Sequence, residues 1–187
     1  MKLGKTLYVN NRKDWRLWLA KNHDKEKEVW LIYYRKSSGK PRIPYNDAVE
    51  EALCYGWIDS TVKNIDNERF AQRFTPRRPK SILSELNRER IHRLIAKKSM
   101  TSKGLNAVSH TFNKNHKKNK SIIAPDILKI LKQDKEVWKN FQKFPESYKC
   151  IRVSWIETAR IRQDIFNQRL KYFLKMTARN KRFGMVQ

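Results

Sequence analysis

Apolar positions recur at helical spacing along most of the chain, and they cluster as strands only in its first eighty residues. Residues 6–9 (TLYV) read as a short strand, and Asn11 is placed to cap a helix in which Trp15, Trp18 and Leu19 stand at i, i+3 and i+4. That helix ends near Asn22-His23. Residues 28–35 (EVWLIYYR) are rich in aromatic and β-branched side chains and predict a second strand. A turn at residues 37–41 (SSGKP) leads to Asn46, expected to cap a helix with Ala48, Val49, Ala52 and Leu53 on its apolar side. Asp47, Glu50 and Glu51 lie in its early turns, where carboxylates suit the positive end of the helix dipole. Gly56 is suited to stop it in a left-handed conformation. Residues 57–63 and 69–74 read as two strands joined at Asp66-Asn67 as a hairpin.

Beyond Ser81 the period becomes helical throughout. Ser84 is placed to cap a helix running to about Ser99, with Ile91, Leu94 and Ile95 as its apolar stripe. A shorter helix from Ser102 to about residue 112 follows. Residues 113–121 (NKNHKKNKS) are polar and basic and read as a linker. Pro125 opens the next helix, with Ile127, Leu128, Ile130 and Leu131 inward. Val137, Trp138, Phe141 and Phe144 form a further stripe. Pro145 restarts the chain into a helix containing Tyr148, Ile151, Val153, Trp155 and Ile156. A last helix carries Ile161, Ile165, Phe166, Leu170, Phe173 and Leu174, and residues 180–187 are expected to be loose. The fold class is therefore α+β. A small mixed or antiparallel sheet with helices occupies the N-terminal part, residues 1–112, and an all-helical unit occupies 122–187.

Composition narrows the function classes. The 187 residues are enough for one domain or two small ones. Six Trp, seven Tyr and eight Phe argue against disorder. No apolar run approaches the length of a membrane helix or a signal peptide. Two well-separated cysteines, Cys54 and Cys150, make no disulfide framework, which fits a reduced, cytoplasmic protein. Charge is the extreme feature: 43 Lys and Arg against 18 Asp and Glu give a formal net charge of +25. Solubility alone needs about 2–8 on a small domain, so a polyanion such as nucleic acid is an expected partner.

The motifs of nucleotide-binding loops, serine hydrolases and zinc proteases do not occur, and the four scattered His do not form a metal set. Neither a cofactor nor a catalytic residue is implied. Residues 73–81 (RFTPRRPKS) are the sharpest local feature, because two prolines stiffen a loop that carries two arginines. A stiff arginine loses less entropy on gripping phosphate or carboxylate. Arg73, Arg77, Arg78 and Lys80 are therefore the expected anion grip; in the alternative, the loop is a connector whose arginines pair with Glu50, Glu51 or Asp59. Arg90, Arg93 and Lys97 fall within about 60° on the helical wheel and form a second basic stripe. Reversing Arg77 and Arg78 is expected to weaken the partner more than reversing Lys117 and Lys118. A candidate pocket for a small anionic substrate, the enzyme alternative, comprises Tyr45, Cys54, Trp57 and Asp59 beside Arg73. A third alternative is a protein–protein adaptor that exposes an apolar patch around Trp138, Phe141 and Trp155.

Several blocks carry a family resemblance. Residues 15–23 (WRLWLAKNH), 49–60 (VEEALCYGWIDS), 73–81 and 100–104 (MTSKG) resemble the YdeI/OmpD-associated family, as do Phe141, Trp155-Ile156 and the basic final helix. Leu83 stands where Trp is expected in many relatives, a change of packing only. The resemblance implies a stress or bacteriocin-resistance association and an α/β unit followed by a helical one. It implies no catalytic residue.

Overall fold

The computed structural model describes residues 3–112 and 123–184. They divide into two compact units: Met1–Ile82 with Arg90–Asn113, and Leu83–Glu89 with Lys114–Gln187, each as far as its residues are described.

The first unit is a four-stranded mixed sheet with helices. Strand β1 (Thr6–Leu7) pairs parallel with β2 (Val29–Tyr34), which pairs antiparallel with β4 (Arg69–Pro76), which in turn pairs antiparallel with β3 (Trp57–Asn64). The order is β1-β2-β4-β3. The β3–β4 hairpin closes at Asp66, whose carboxylate accepts the backbone N–H groups of Glu68 and Arg69. Alternation on β2 puts Val29, Leu31 and Tyr33 on one face, opposite Phe74, Gln72 and Phe70 of β4. Phe74 of that face meets Trp15, which stacks on Trp18.

Helix α1 (Arg12–Asn22) starts as the sequence predicts, with Asn11 accepting from the Asp14 N–H at 2.9 Å. Helix α2 (Tyr45–Cys54) does not: it begins one residue before Asn46 and follows Pro44. The Asn46 side chain instead accepts a hydrogen bond from Arg90. Gly56 ends the helix region at φ +74°, the left-handed conformation expected of it. Helices α3 (Glu85–Ala96) and α4 (Ser102–Phe112) follow.

The second unit packs α5 (Pro125–Gln133), α6 (Lys135–Lys143), α7 (Glu146–Glu157) and α8 (Gln163–Ala178) around Ile127, Leu131, Phe141, Tyr148, Ile156, Phe166 and Phe173. Pro125 opens α5, and Asp134 caps α6 by accepting from the N–H groups of Glu136 and Val137. Two expectations change here. Ile161 lies outside α8 and is fully exposed, because α7 stops at Glu157 and Arg160 ties the connecting turn to Asp126 and Glu157. The tail is anchored as far as Gly184: Phe183 packs on the core and its N–H donates to the Tyr148 hydroxyl at 3.2 Å. The expected linker at 113–121 lies outside the described residues.

Candidate functional site

Helix α2 carries a layer of buried charge. Glu51 is 2% exposed and Glu50 is buried beside it. Arg12 Nε donates to Glu51 Oε1 at 2.5 Å and Arg16 Nη1 to Glu51 Oε2 at 2.6 Å, both from α1. Glu50 meets Arg12 and Arg93, each at 3.1 Å. The neighbouring carboxylates hold the Arg12 and Arg16 guanidiniums above their usual range against the opposing effect of burial.

The second basic stripe is therefore not a solvent face. Arg90 is 3% exposed and donates to Asn46 Oδ1 at 2.6 Å, and Arg93 turns to Glu50. Only Lys97 of the three is exposed. A helical wheel cannot show that α2 presents acceptors to this side of α3.

The candidate pocket residues come together in part. Tyr45 donates to Asp59 Oδ2 at 2.5 Å. The Tyr33 hydroxyl is buried without a hydrogen-bond partner. Burial, then the Asp59 contact, raises the Tyr45 pKa; burial, then the nearby Tyr45 and Asp59, raises that of Tyr33. Arg73 is not with them. Asp59 pairs in register with Phe74 and so shares its face, whereas the adjacent Arg73 points to the other face and binds Glu28. Trp57 donates to the His23 carbonyl. Cys54 is fully buried, and burial followed by the Glu51 charge pushes its thiol up to about 11, the reverse of what a thiolate nucleophile needs. Tyr45→Phe is expected to cost about 1–2 kcal/mol of stability, read by urea unfolding, because Asp59 loses its donor. No loss would mean that water replaces the hydroxyl.

The arginine loop is also divided. Arg77 Nη2 donates to the carbonyls of Ser81 and Ile82 at 2.9 and 2.7 Å, closing the loop on itself. Lys80 sits at φ +60°, where this closure turns the chain. Arg78 and Lys80 face solvent, so half of the expected grip holds the protein's own atoms.

A solvent-facing basic stripe exists elsewhere, on α8 and its C-cap residue Arg179. Phe166, Leu170, Phe173 and Thr177 face inward. Lys171, Lys175 and Arg179 stand exposed at i, i+4 and i+8, and among the described residues none of the three is ion-paired. No acidic residue follows Asp164 in the chain. The high charge of residues 160–182 is evident in the sequence, but the side on which it emerges is set by which residues the bundle buries. Of the expected adaptor patch, Phe141 is in the core, while Trp138 and Trp155 are half-buried against it. Among the described residues, no group of His, Cys, Asp and Glu could hold a metal, and no helix is long and apolar enough to cross a membrane.

Residues 7–107 match the model of a domain of unknown function, DUF8412, which is more than half of the 187-residue chain. The chain belongs to that family. Residues 120–180 match the model described as bacteriocin-protection, YdeI or OmpD-associated, in agreement with the resemblance. No curated protein and no solved structure matches the chain. The α2 charge layer and the arginine loop thus fall in the DUF8412 stretch, and helices α5 to α8 fall in the OmpD-associated stretch. The residue blocks at 49–60 and 73–81 that carried much of the resemblance lie under the DUF8412 model.

Proposed function

We propose that the protein is a non-enzymatic cytoplasmic binder of a polyanion, with nucleic acid as the partner of best fit, in a bacteriocin-protection or stress-resistance role. The exposed stripe Lys171, Lys175 and Arg179 carries this reading. The bacteriocin-protection family match over residues 120–180 supports the role, and the two separate matches support a division into 1–112 and 122–187. A stripe of this kind contacts phosphates and does not read bases. Asp59 and Arg73 lie on opposite faces, which favours binding over the enzyme reading.

Three phosphate contacts would lower the affinity for duplex DNA about 40-fold between 50 and 200 mM salt. The triple reversal K171E/K175E/R179E is expected to weaken DNA or RNA binding more than about 30-fold, measured by fluorescence anisotropy at low salt. R77E/R78E is expected to change it less than about threefold, because Arg77 is occupied by carbonyls. Equal losses would reduce the effect to bulk charge, and heparin competing as well as nucleic acid would remove nucleic acid as the partner. Lys117 and Lys118, the earlier comparison pair, lie outside the described residues.

A further inference from the structure

Helices α7 and α8 border a cavity of about 550 Å³, within the range of small-molecule sites. Its cationic wall is Arg152, 6% exposed. The guanidinium carbon lies 4.8 Å from the ring centroid of Phe183, 5.7 Å from Tyr148 and 5.8 Å from Trp155. Its Nε is buried without a hydrogen-bond partner, and no carboxylate pairs with it among the described residues. Burial lowers its pKa, with the nearby Tyr148 opposing. Arg169 is the second cation. Its Nη1 donates to the Trp155 carbonyl and to Thr158 Oγ1 at 2.5 and 2.9 Å and its guanidinium carbon lies 4.7 Å from the Trp155 ring centroid, while its other nitrogens have no hydrogen-bond partner among the described residues. Gly184 closes in on Arg152: a Cβ there would come within 2.7 Å of Nη1.

Aromatic faces offset part of the cost of burying a guanidinium, but they accept no hydrogen bond in its plane. Among the described residues, the site has no acceptor carrying negative charge. Trp155, Ile165 and Tyr172 supply the apolar surface beside the two guanidiniums. We propose that this cavity binds a small ligand built of a flat apolar body and an oxyanion, carboxylate or phosphate. The oxyanion meets Arg152 and Arg169, and the flat body lies against Trp155 and Tyr172. This goes beyond the polyanion reading and does not rest on it.

The test is calorimetric titration of the full chain with three probes that share one ring system: 2-naphthoate, 2-naphthyl phosphate and neutral 2-naphthol. At least one of the two anions is expected to bind about tenfold or more tightly than the naphthol, and which one is tighter separates the carboxylate source from the phosphate source. Arg152→Met is expected to weaken the anion about tenfold or more, with naphthol binding unchanged. Arg152 is buried, so Tyr172→Ala at the exposed rim provides a second variant that leaves the core intact; it is expected to weaken all three probes. Naphthol binding as tightly as both anions, no binding of either anion at millimolar concentration, or anion binding indifferent to both substitutions would overturn the proposal. Naphthoate binding in a protein that ignores nucleic acid would overturn the polyanion reading alone.

Discussion

Replacing Gly104 by alanine is expected to destabilise the first unit by about 3 kcal/mol, near the upper end of what overpacking costs. Helix propensity by itself predicts the opposite sign, a gain of about 1 kcal/mol for Gly to Ala inside a helix. The packing decides. A Cβ at 104 would lie 2.2 Å from the Cys54 carbonyl oxygen, 2.7 Å from its carbon and 2.8 Å from the Leu53 oxygen. These are backbone atoms at the end of α2, so no side chain can swing aside. The Cys54 carbonyl is moreover held by the Thr101 N–H at 3.1 Å and by the Thr101 hydroxyl at 2.6 Å. Gly56 is tight against the same helix, with a Cβ there only 2.9 Å from Ala107 Cβ. Urea unfolding measures the effect, and a Gly104→Ala variant as stable as wild type would mean that α2 and α4 do not cross this closely.

The second large effect concerns Glu51. Removing both of its arginine partners, as in R12M/R16M, is expected to cost about 3 kcal/mol, the lower end of the range for an orphaned buried charge. The lower end applies because Arg12 and Arg16 are themselves 39% and 38% exposed, so water screens the pairs. The triple variant R12M/R16M/E51M is expected to recover at least about 1 kcal/mol of this loss, since it removes the stranded carboxylate with its partners. A triple variant less stable than the double would show that Glu51 contributes without those arginines, through Cys54 or the helix end. Far-UV circular dichroism with chemical denaturation distinguishes these outcomes.

The two substitutions also show where sequence reading stops. Gly56 as a helix stop, Asp66-Asn67 as a hairpin, Asn11 as a cap and Pro125 as a helix opener are all local. Each depends on residues a few positions away, so each was legible. Gly104 carried no such signal: a glycine inside a helical pattern reads as a weakness until the carbonyls of another helix are found against it. Arg90 and Arg93 read as a basic face because their wheel positions agree, yet Asn46 and Glu50, more than forty residues earlier, turn both inward. Trp155 read only as one apolar residue of a helix, whereas Arg169, Tyr172 and Phe183 from later in the chain make it and Arg152 a cavity wall.

By itself the sequence determined the succession of strands and helices, the α+β class, the excess of positive charge and the family resemblance. These follow from backbone propensity, periodicity and composition, which act between near neighbours or sum over the chain. Only the tertiary structure decided which cations are free. A guanidinium seeks the nearest acceptor in space, and that acceptor is set by which helix faces pack together. The same packing closed Arg73, Arg77, Arg90 and Arg93 onto the protein's own acceptors, left Lys171, Lys175 and Arg179 in solvent, and buried Arg152 among aromatic rings with no carboxylate beside it among the described residues.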